Sequence, residues 1–273
     1  MPDLPNVDSF WRQIVLRRRK KQLGPVPEKK LGIDKTLDTE FARTRGMSTI
    51  TTHFRGPFGS LPRLSVPCVI KLTTSSGTRG AFYVYPDRLF SISRSVSVST
   101  WADLQALAQE ELESTDLDSV EWEVQALVEL EGLPAPDLKF YAFYGEIGTV
   151  LEASRFPESV YAYFDGSLNP IDFRLDHKPH FEDIDRTSVR RGLLTEEKMA
   201  RVRELSLSIP VPFMRMDFLH SDDDLVFCEF SAAPGMSHCL TPEHDERLGR
   251  LYAEAEVRLV NDLLAGKSFG SAR

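Results

Sequence analysis

Arg215, Asp217, Glu229 and Ser231 are residues whose types and spacing could do chemistry. They lie in PFMRMDFL (212–219) and DLVFCEFS (224–231), where charge alternates with apolar side chains. A carboxylate in such surroundings is costly unless a cation meets it. The segments are separated by HSDD, a short polar turn, and read as an antiparallel hairpin. Side chains alternate with period two along a strand, so Phe213, Arg215 and Asp217 share one face and Met214, Met216 and Phe218 the other. In the second strand Leu225, Phe227, Glu229 and Ser231 share a face, opposite Val226, Cys228 and Phe230. A turn centred near residue 222 sets 217 across from 227 and 215 across from 229. The four polar residues then form one cluster, with diagonal neighbours roughly 7–8 Å apart, within reach of a shared divalent cation. The hairpin alone leaves two chemistries open. Arg215 can neutralise a carboxylate in a salt-bridged patch, or two carboxylates and a hydroxyl can present hard oxygen ligands to Mg²⁺ at a nucleotide-phosphate site.

Other charges sit in apolar text. Lys71 lies inside CVIKL, an odd place for an ammonium without an anionic partner, and the loop TTSSGTRG (73–80) that follows could close backbone N–H groups over phosphates. The strand VELE (128–131), then DLKFYAF (137–143), repeats the theme.

These residues need elements to hold them. PCVIKL and AFYVY flank the 73–80 loop as a hairpin. A helix is predicted from Thr100 to about Glu113, with Thr100 as N-cap and Asp103 completing a capping box, and with Trp101, Leu104, Ala108 and Leu112 on one face. QALVEL (125–130), LKFYAFYG and TVLEASRF read as strands, and a second helix runs from Thr195 to about Ser208. The last helix opens with Thr241 as N-cap and Pro242 at the first helical position; Leu248, Leu251, Tyr252, Ala255, Leu259 and Leu263 form its stripe. Residues 1–60 are polar and punctuated by Pro5, Pro25, Pro27 and Pro57, and no strong sheet is expected there.

Composition bounds the classes. With 273 residues, 41% hydrophobic and 27% charged, the chain can bury a core without disulfides. Cys68, Cys228 and Cys239 are too few and scattered for a bridge framework or zinc cluster, which favours a reducing, cytoplasmic location. No apolar stretch approaches the ~18–20 residues that cross a bilayer. A net charge of −8 argues against nucleic acid as a partner. The basic run Arg17-Arg18-Arg19-Lys20-Lys21 is read as the solvated face of a first helix beginning near Ser9.

From about Leu61 to Gly249 the ordered motifs VIKLTTSSGTRG, LVELEG, PDLKFYAFYGEIG, PFMRMDFL and VFCEFSAAPGMS resemble the ATP-grasp superfamily, and within it the TupA-like branch associated with teichuronopeptide-type biosynthesis. The specific feature is Arg-x-Asp followed twelve residues later (229 − 217) by Glu-x-Ser and then Pro-Gly. The resemblance implies an α/β (α+β) ATP-grasp fold holding ATP between a small lid sheet and a larger C-terminal antiparallel sheet with flanking helices. Residues 1–60 would be a reduced N-terminal region, 61–127 the lid subdomain and 128–273 the subdomain carrying metal ligands.

Roles carry over by position. Lys71 resembles the lid lysine that contacts phosphates; Ser75, Ser76 and Gly77 resemble the loop that covers them. Glu129 and Leu130 match the hinge that reads adenine, and Asp137 and Lys139 the charged pair beyond it, which reaches ribose or phosphate and the acyl substrate. Arg215 is similar to the arginine that steadies the acyl phosphate and tetrahedral intermediate. Asp217 and Glu229 match the Mg²⁺ ligands, with Ser231 where many relatives have asparagine, a shorter and poorer ligand. The implied reaction is carboxylate–amine ligation through an acyl phosphate, on amino-acid or peptide-like substrates in cell-envelope polymer or specialised-metabolite assembly. A kinase acting on a hydroxyl, or a non-catalytic nucleotide-binding module, are the alternatives, and a homodimer is left open.

Several conspicuous residues receive blander readings. His177 and His180, amid Asp176, Glu182, Asp183 and Asp185, are expected in a charged loop rather than a metal site. Arg155 is divided between a substrate carboxylate and a structural ion pair; Arg190 and Arg191 are surface charges, and His238 a solvated histidine.

Overall fold

The computed structural model describes residues 8–28, 30–73, 78–113, 115–176, 181–235 and 237–269. Helices α1 (Phe10–Leu23) and α2 (Lys35–Arg43) lead into strands β1 (Ser48–Thr49) and β2 (Thr52–Gly56). Strands β3 (Cys68–Leu72), β4 (Ala81–Val84), β5 (Leu89–Ser91) and β6 (Val96–Val98) precede α3 (Trp101–Glu111). Next come β7 (Trp122–Ala126), the two-residue strands β8 (Glu129–Leu130) and β9 (Leu133–Pro134), then β10 (Asp137–Phe143), β11 (Glu146–Ser154) and β12 (Val160–Asp165). Helices α4 (Phe181–Arg186) and α5 (Glu196–Leu207), strands β13 (Met214–His220) and β14 (Leu225–Ser231), and helix α6 (Pro242–Leu264) complete the chain.

The chain divides into two compact units, Met1–Thr49 with Asp137–Ala153 and Val160–Arg273, and Ile50–Pro136 with Ser154–Ser159. The first is built on a six-stranded sheet in the order β1-β14-β13-β10-β11-β12. Only β1 runs parallel to its neighbour among the pairings of this sheet with a described register. Period-two alternation divides its strands between two cores. Leu138, Phe140, Met214, Met216 and Phe218 join Phe41, Met199 and Val202 on one side. On the other, Tyr141, Phe143 and Phe213 pack against Phe10 and Ile14 of α1 and Leu248, Tyr252 and Ala255 of α6. Where α1 begins, only glycine fits on α6: a Cβ at Gly249 would lie 1.6 Å from the Asp8 carbonyl oxygen.

The second unit holds a sheet in the order β2-β7-β3-β4-β5-β6. Leu104 and Ala108 of α3, with Leu112 at its C-cap, bury one face of it, against Ile70, Phe82, Trp122 and Val124. The capping box at Thr100 and Asp103 is formed, as the sequence predicts. Thr195 and Thr241 likewise cap α5 and α6.

Several expectations are revised. Residues 1–60 contribute β1 and β2, one strand to each large sheet; both are short and polar because they lie at sheet edges. The strand expected over 125–130 instead ends at Ala126, and Glu129–Leu130 turns back on Leu133–Pro134 as a hairpin of its own. The charged segment beyond Asp176 includes the short helix α4, while His177 and His180 lie outside the described residues. Leu263 is half exposed, off the buried stripe of α6.

A second polar cluster, buried in the first unit, ties the segment before α5 to the sheet. Glu152 of β11 accepts from Ser188 N (2.8 Å), Val189 N (3.0 Å) and Ser188 Oγ (3.0 Å), and Ser188 Oγ lies 2.7 Å from His220 Nδ1. The Lys198 ammonium, a donor only, lies 3.1 Å from Nε2, so that nitrogen is bare and Nδ1 carries the proton; Leu193 O, 3.2 Å from Nε2, is the contact this tautomer leaves without a proton. Burial first, and the Lys198 charge second, lower the His220 pKa to about 4. An ordinary histidine titrates near 6.5 in the unfolded chain, so the folded state resists protonation and His220's contribution is lost as pH falls from 6.5 toward 4. We therefore expect the urea-unfolding free-energy difference between the natural chain and His220→Gln to shrink by about 2–3 kcal/mol between pH 7.5 and 4.5. Other titrating groups, such as Asp38, cancel in that difference; a pH-independent difference would refute the assignment.

Candidate functional site

The sheet face that buries aromatics at one end of β10 and β13 turns charged at the other. Along β10 the series on this face is Phe143, Tyr141, Lys139, Asp137; along β13 it is Arg215 and Asp217, led in by Phe213 just before the strand. The registers Tyr141↔Arg215 and Lys139↔Asp217 bring the charges side by side. Asp217, 1% exposed, is the hub. Lys139 Nζ donates to Asp217 Oδ2 at 2.6 Å and stands 2.6 Å from Asp137 Oδ2. The Arg215 guanidinium grips the same carboxylate at both oxygens, Nε to Oδ1 and Nη2 to Oδ2, each at 2.7 Å.

Glu229 stands directly across from Asp217, and Ser231 across from Arg215. That is two residues away from the register expected of a turn near 222. Ser221–Asp224 form the connection, and the pairing slips by one at Asp217/Phe218, leaving Cys228 as the extra residue of a β-bulge. The bulge also changes the faces: Phe227 and Phe230 both enter the core beside Phe218, while Glu229 and Ser231 stay on the charged side. Phe227 therefore does not share a face with Glu229, as strict alternation would have it.

Glu229 is held loosely. Its nearest cations are Lys35 Nζ at 3.7 Å and Arg215 Nη2 at 3.9 Å. Burial alone would lower the pKa values of Lys139 and Arg215; the carboxylates of Asp137 and Asp217 raise that of Lys139, and Asp217 foremost raises that of Arg215. Both remain cationic at any working pH. Burial pushes the Tyr141 hydroxyl up to about 12, so this neighbour stays neutral.

Two contributors come from the N-terminal segment, where the sequence names no individual site residue. Lys35 opens α2, and Asp38, one turn on and 1% exposed, accepts from the backbone N–H groups of Gly32 (2.9 Å) and Phe230 (3.2 Å), clamping β14 one residue past Glu229. Burial, with Glu229 adding to it, raises the Asp38 pKa to about 6. The available signal was an acid at i and i+3/i+4 from Phe41 and Ala42, on the apolar stripe of a short helix.

In the second unit Lys71 has an anionic partner: Glu123 Oε1 lies 3.5 Å from its ammonium, and Arg55 Nε lies 3.3 Å from Oε2. Glu123 is almost fully buried opposite Lys71 in the register of β3 with β7, and it too was legible as a charge inside an apolar strand. Ser75, Ser76 and Gly77 lie outside the described residues. Just beyond them, the buried Glu111 carboxylate accepts from Gly80 N, Ser91 Oγ and Ser93 Oγ, fixing where the chain rejoins β4. Glu129 and Leu130 occupy the small hairpin, where Val128 O accepts from Ala135 N. Arg155 lies one residue past β11, Arg190 reaches Asp185 at 3.7 Å, and His238 is exposed with its ring centroid 5.6 Å from that of Trp11.

Among the described residues no three or more His, Cys, Asp or Glu converge as a metal cage. Mg²⁺ does not require one, since it is usually bound through one or two carboxylates together with substrate phosphates and water. Asp217 and Glu229, facing each other on neighbouring strands, supply the two carboxylates of that donor set, Glu229 partly exposed and Asp217 with both oxygens engaged by Arg215 and Lys139; Ser231 adds a neutral oxygen on the same face. No helix among the described residues is long and apolar enough to cross a membrane.

No curated protein matches the sequence. In structure the chain is similar to D-alanine–D-alanine ligase from Bacillus anthracis complexed with ATP, with 14% identity, a TM-score of 0.46, and 91% of this chain and 75% of that one covered. It is also similar to the ATP-grasp ligase PsnB complexed with a phosphomimetic variant of minimal precursor, Mg and ADP, with 12% identity, a TM-score of 0.44, and 92% and 72% covered. An L-amino acid ligase from Bacillus licheniformis shares 13% identity at a TM-score of 0.41, over 81% of this chain and 46% of that one. The sequence itself matches the model of the TupA-like ATPgrasp family over residues 63–253, most of its length and all of the charged sheet face except Lys35. The chain belongs to the TupA-like ATP-grasp family.

Proposed function

We propose that this chain is an ATP-dependent ligase that joins a carboxylate to an amine, with amino-acid or peptide-like substrates. The observation that carries the reading is the charged face on β10, β13 and β14, where Lys139, Arg215, Asp217 and Glu229 gather beside the aromatic side chains of the same strands. A carboxylate is a poor acyl donor because its leaving group would be oxide. Attack of a carboxylate oxygen on the γ-phosphorus of ATP makes a C–O–P linkage, breaks the bond to the β-phosphate and releases ADP. The amine then attacks the acyl carbon, a C–N bond forms, phosphate leaves, and the nitrogen gives up a proton.

Asp217 and Glu229 are the residues that would hold Mg²⁺, which when bound offsets phosphate charge. Arg215, fixed by its two bonds to Asp217, presents a cation to the oxyanion of the tetrahedral intermediate. Lys139 offers a second cation on the same face, toward phosphate or the acyl group. The nucleotide-binding roles of Lys71, Ser75, Ser76, Gly77, Glu129, Leu130 and Asp137 belong to the same proposal. The test is ADP release from ATP and Mg²⁺ with pooled carboxylates and amines, followed by mass detection. The expected product has the mass of acid plus amine less water, and forms only when both are present. A stable phosphate ester of a hydroxyl, formed without an amine and untouched by hydroxylamine, which traps an acyl phosphate, would replace the ligase by a kinase.

A further inference from the structure

We propose that the outward face of α1 is a docking surface for an anionic phospholipid bilayer, held by cations and apolar side chains on one helical stripe. The inward face is fixed: Phe10 and Ile14 are fully buried in the α6 core, and Arg17 is tied to Glu28 and to the Phe213 carbonyl. Opposite them, Arg12, Leu16, Arg19 and Leu23 follow at i, i+4, i+7 and i+11, flanked by Val15 and Lys20. All six are exposed, Leu16 by 44% and Leu23 by 88%.

The charge is as uneven as the apolarity. The helix carries six cations, Arg12, Arg17, Arg18, Arg19, Lys20 and Lys21, and no acid. The whole chain is at −8, so the remainder is at −8 − 6 = −14. Arg18 reaches the Ala233 carbonyl at 3.3 Å, whereas Arg12, Arg19, Lys20 and Lys21 form no ion pair with a described residue. Like charges three and four apart, at 17/20, 17/21 and 18/21, weaken the helix. A face that only needed hydration would mix signs, as exposed Arg250 does with Glu246 on α6. A polyanion such as nucleic acid would satisfy the cations yet leave Leu16 and Leu23 in water. The headgroup region of an anionic bilayer takes both, cations at the phosphates and leucines at the acyl boundary.

The experiment is co-sedimentation of the full chain with vesicles of phosphatidylcholine alone or mixed with phosphatidylglycerol. Binding is expected only to the mixed vesicles and should weaken as salt rises. At about fivefold per cation, Arg12→Gln, Arg19→Gln and Lys20→Gln together should lower partitioning roughly a hundredfold. Leu16→Ser with Leu23→Ser should weaken binding while leaving its salt dependence unchanged. All five positions are exposed, so unchanged thermal unfolding separates loss of docking from loss of fold. The proposal is overturned by equal binding to neutral and mixed vesicles, by no binding to either, by indifference to the triple substitution, or by binding to single-stranded DNA or polyglutamate in place of vesicles.

Discussion

Glu229→Gln should abolish Mg²⁺-dependent ATP turnover while leaving stability within about 1 kcal/mol of the natural chain, whereas Asp217→Asn should lose both turnover and stability. The two carboxylates face each other on adjacent strands, yet their surroundings differ. Glu229 is partly exposed and its cations stand at 3.7 and 3.9 Å, the range in which an ion pair contributes little. Asp217 is buried and serves two cations at once, Lys139 at 2.6 Å and Arg215 at 2.7 Å. Neutralising it leaves Arg215 with Glu229 at 3.9 Å and the field of Asp137, a loss of about 3–5 kcal/mol for a buried pair, toward the lower end because Asp137 still holds Lys139. The resemblance treats the two acids as equivalent Mg²⁺ ligands; their burial and ion pairs differ. ADP release, Mg²⁺-dependent binding of a fluorescent ATP analogue and urea unfolding, measured on both variants, decide the matter. Equal stability losses, or turnover in Glu229→Gln within tenfold of the natural chain, would be incompatible with this division of labour.

That contrast marks how far the sequence could be read. Alternation along 212–219 correctly placed Arg215 and Asp217 on one face, because no bulge interrupts the first strand and Met214, Met216 and Phe218 are all core residues. It failed along 225–231, where Cys228 suits either a core or an edge environment and nothing local announces that it will be skipped. The capped helices were legible because a cap is a local event, settled by a hydroxyl and an N–H three residues apart. Glu123 and Asp38 were not found, although each is a charge in apolar text, because what explains them is a partner distant in sequence: Lys71 across a sheet, and the Phe230 amide 192 residues away. β1 and β2 escaped notice for a related reason, since an edge strand with one covered side needs little hydrophobic text.

Arg215→Lys should lower kcat by about 10²–10³ with little change in the KM for ATP, if the guanidinium acts on charge that develops only in the transition state. Lysine keeps the positive charge but cannot reproduce the two parallel bonds to Asp217. Such a substitution lets the ammonium neutralise Asp217 while withdrawing the rigid donor array that aims at the substrate. A purely structural Arg215 would give the opposite pattern: turnover near normal in Arg215→Lys and a loss of stability in Arg215→Ala, as buried Asp217 keeps Lys139 but loses its two guanidinium bonds. Comparing kcat, KM and urea midpoints for both variants therefore separates the roles. A rate for Arg215→Lys within threefold of the natural chain would reduce the arginine to a counterion. Oxyanion stabilisation would then have to come from Lys139, the other cation that β10 and β13 hold against the same carboxylate.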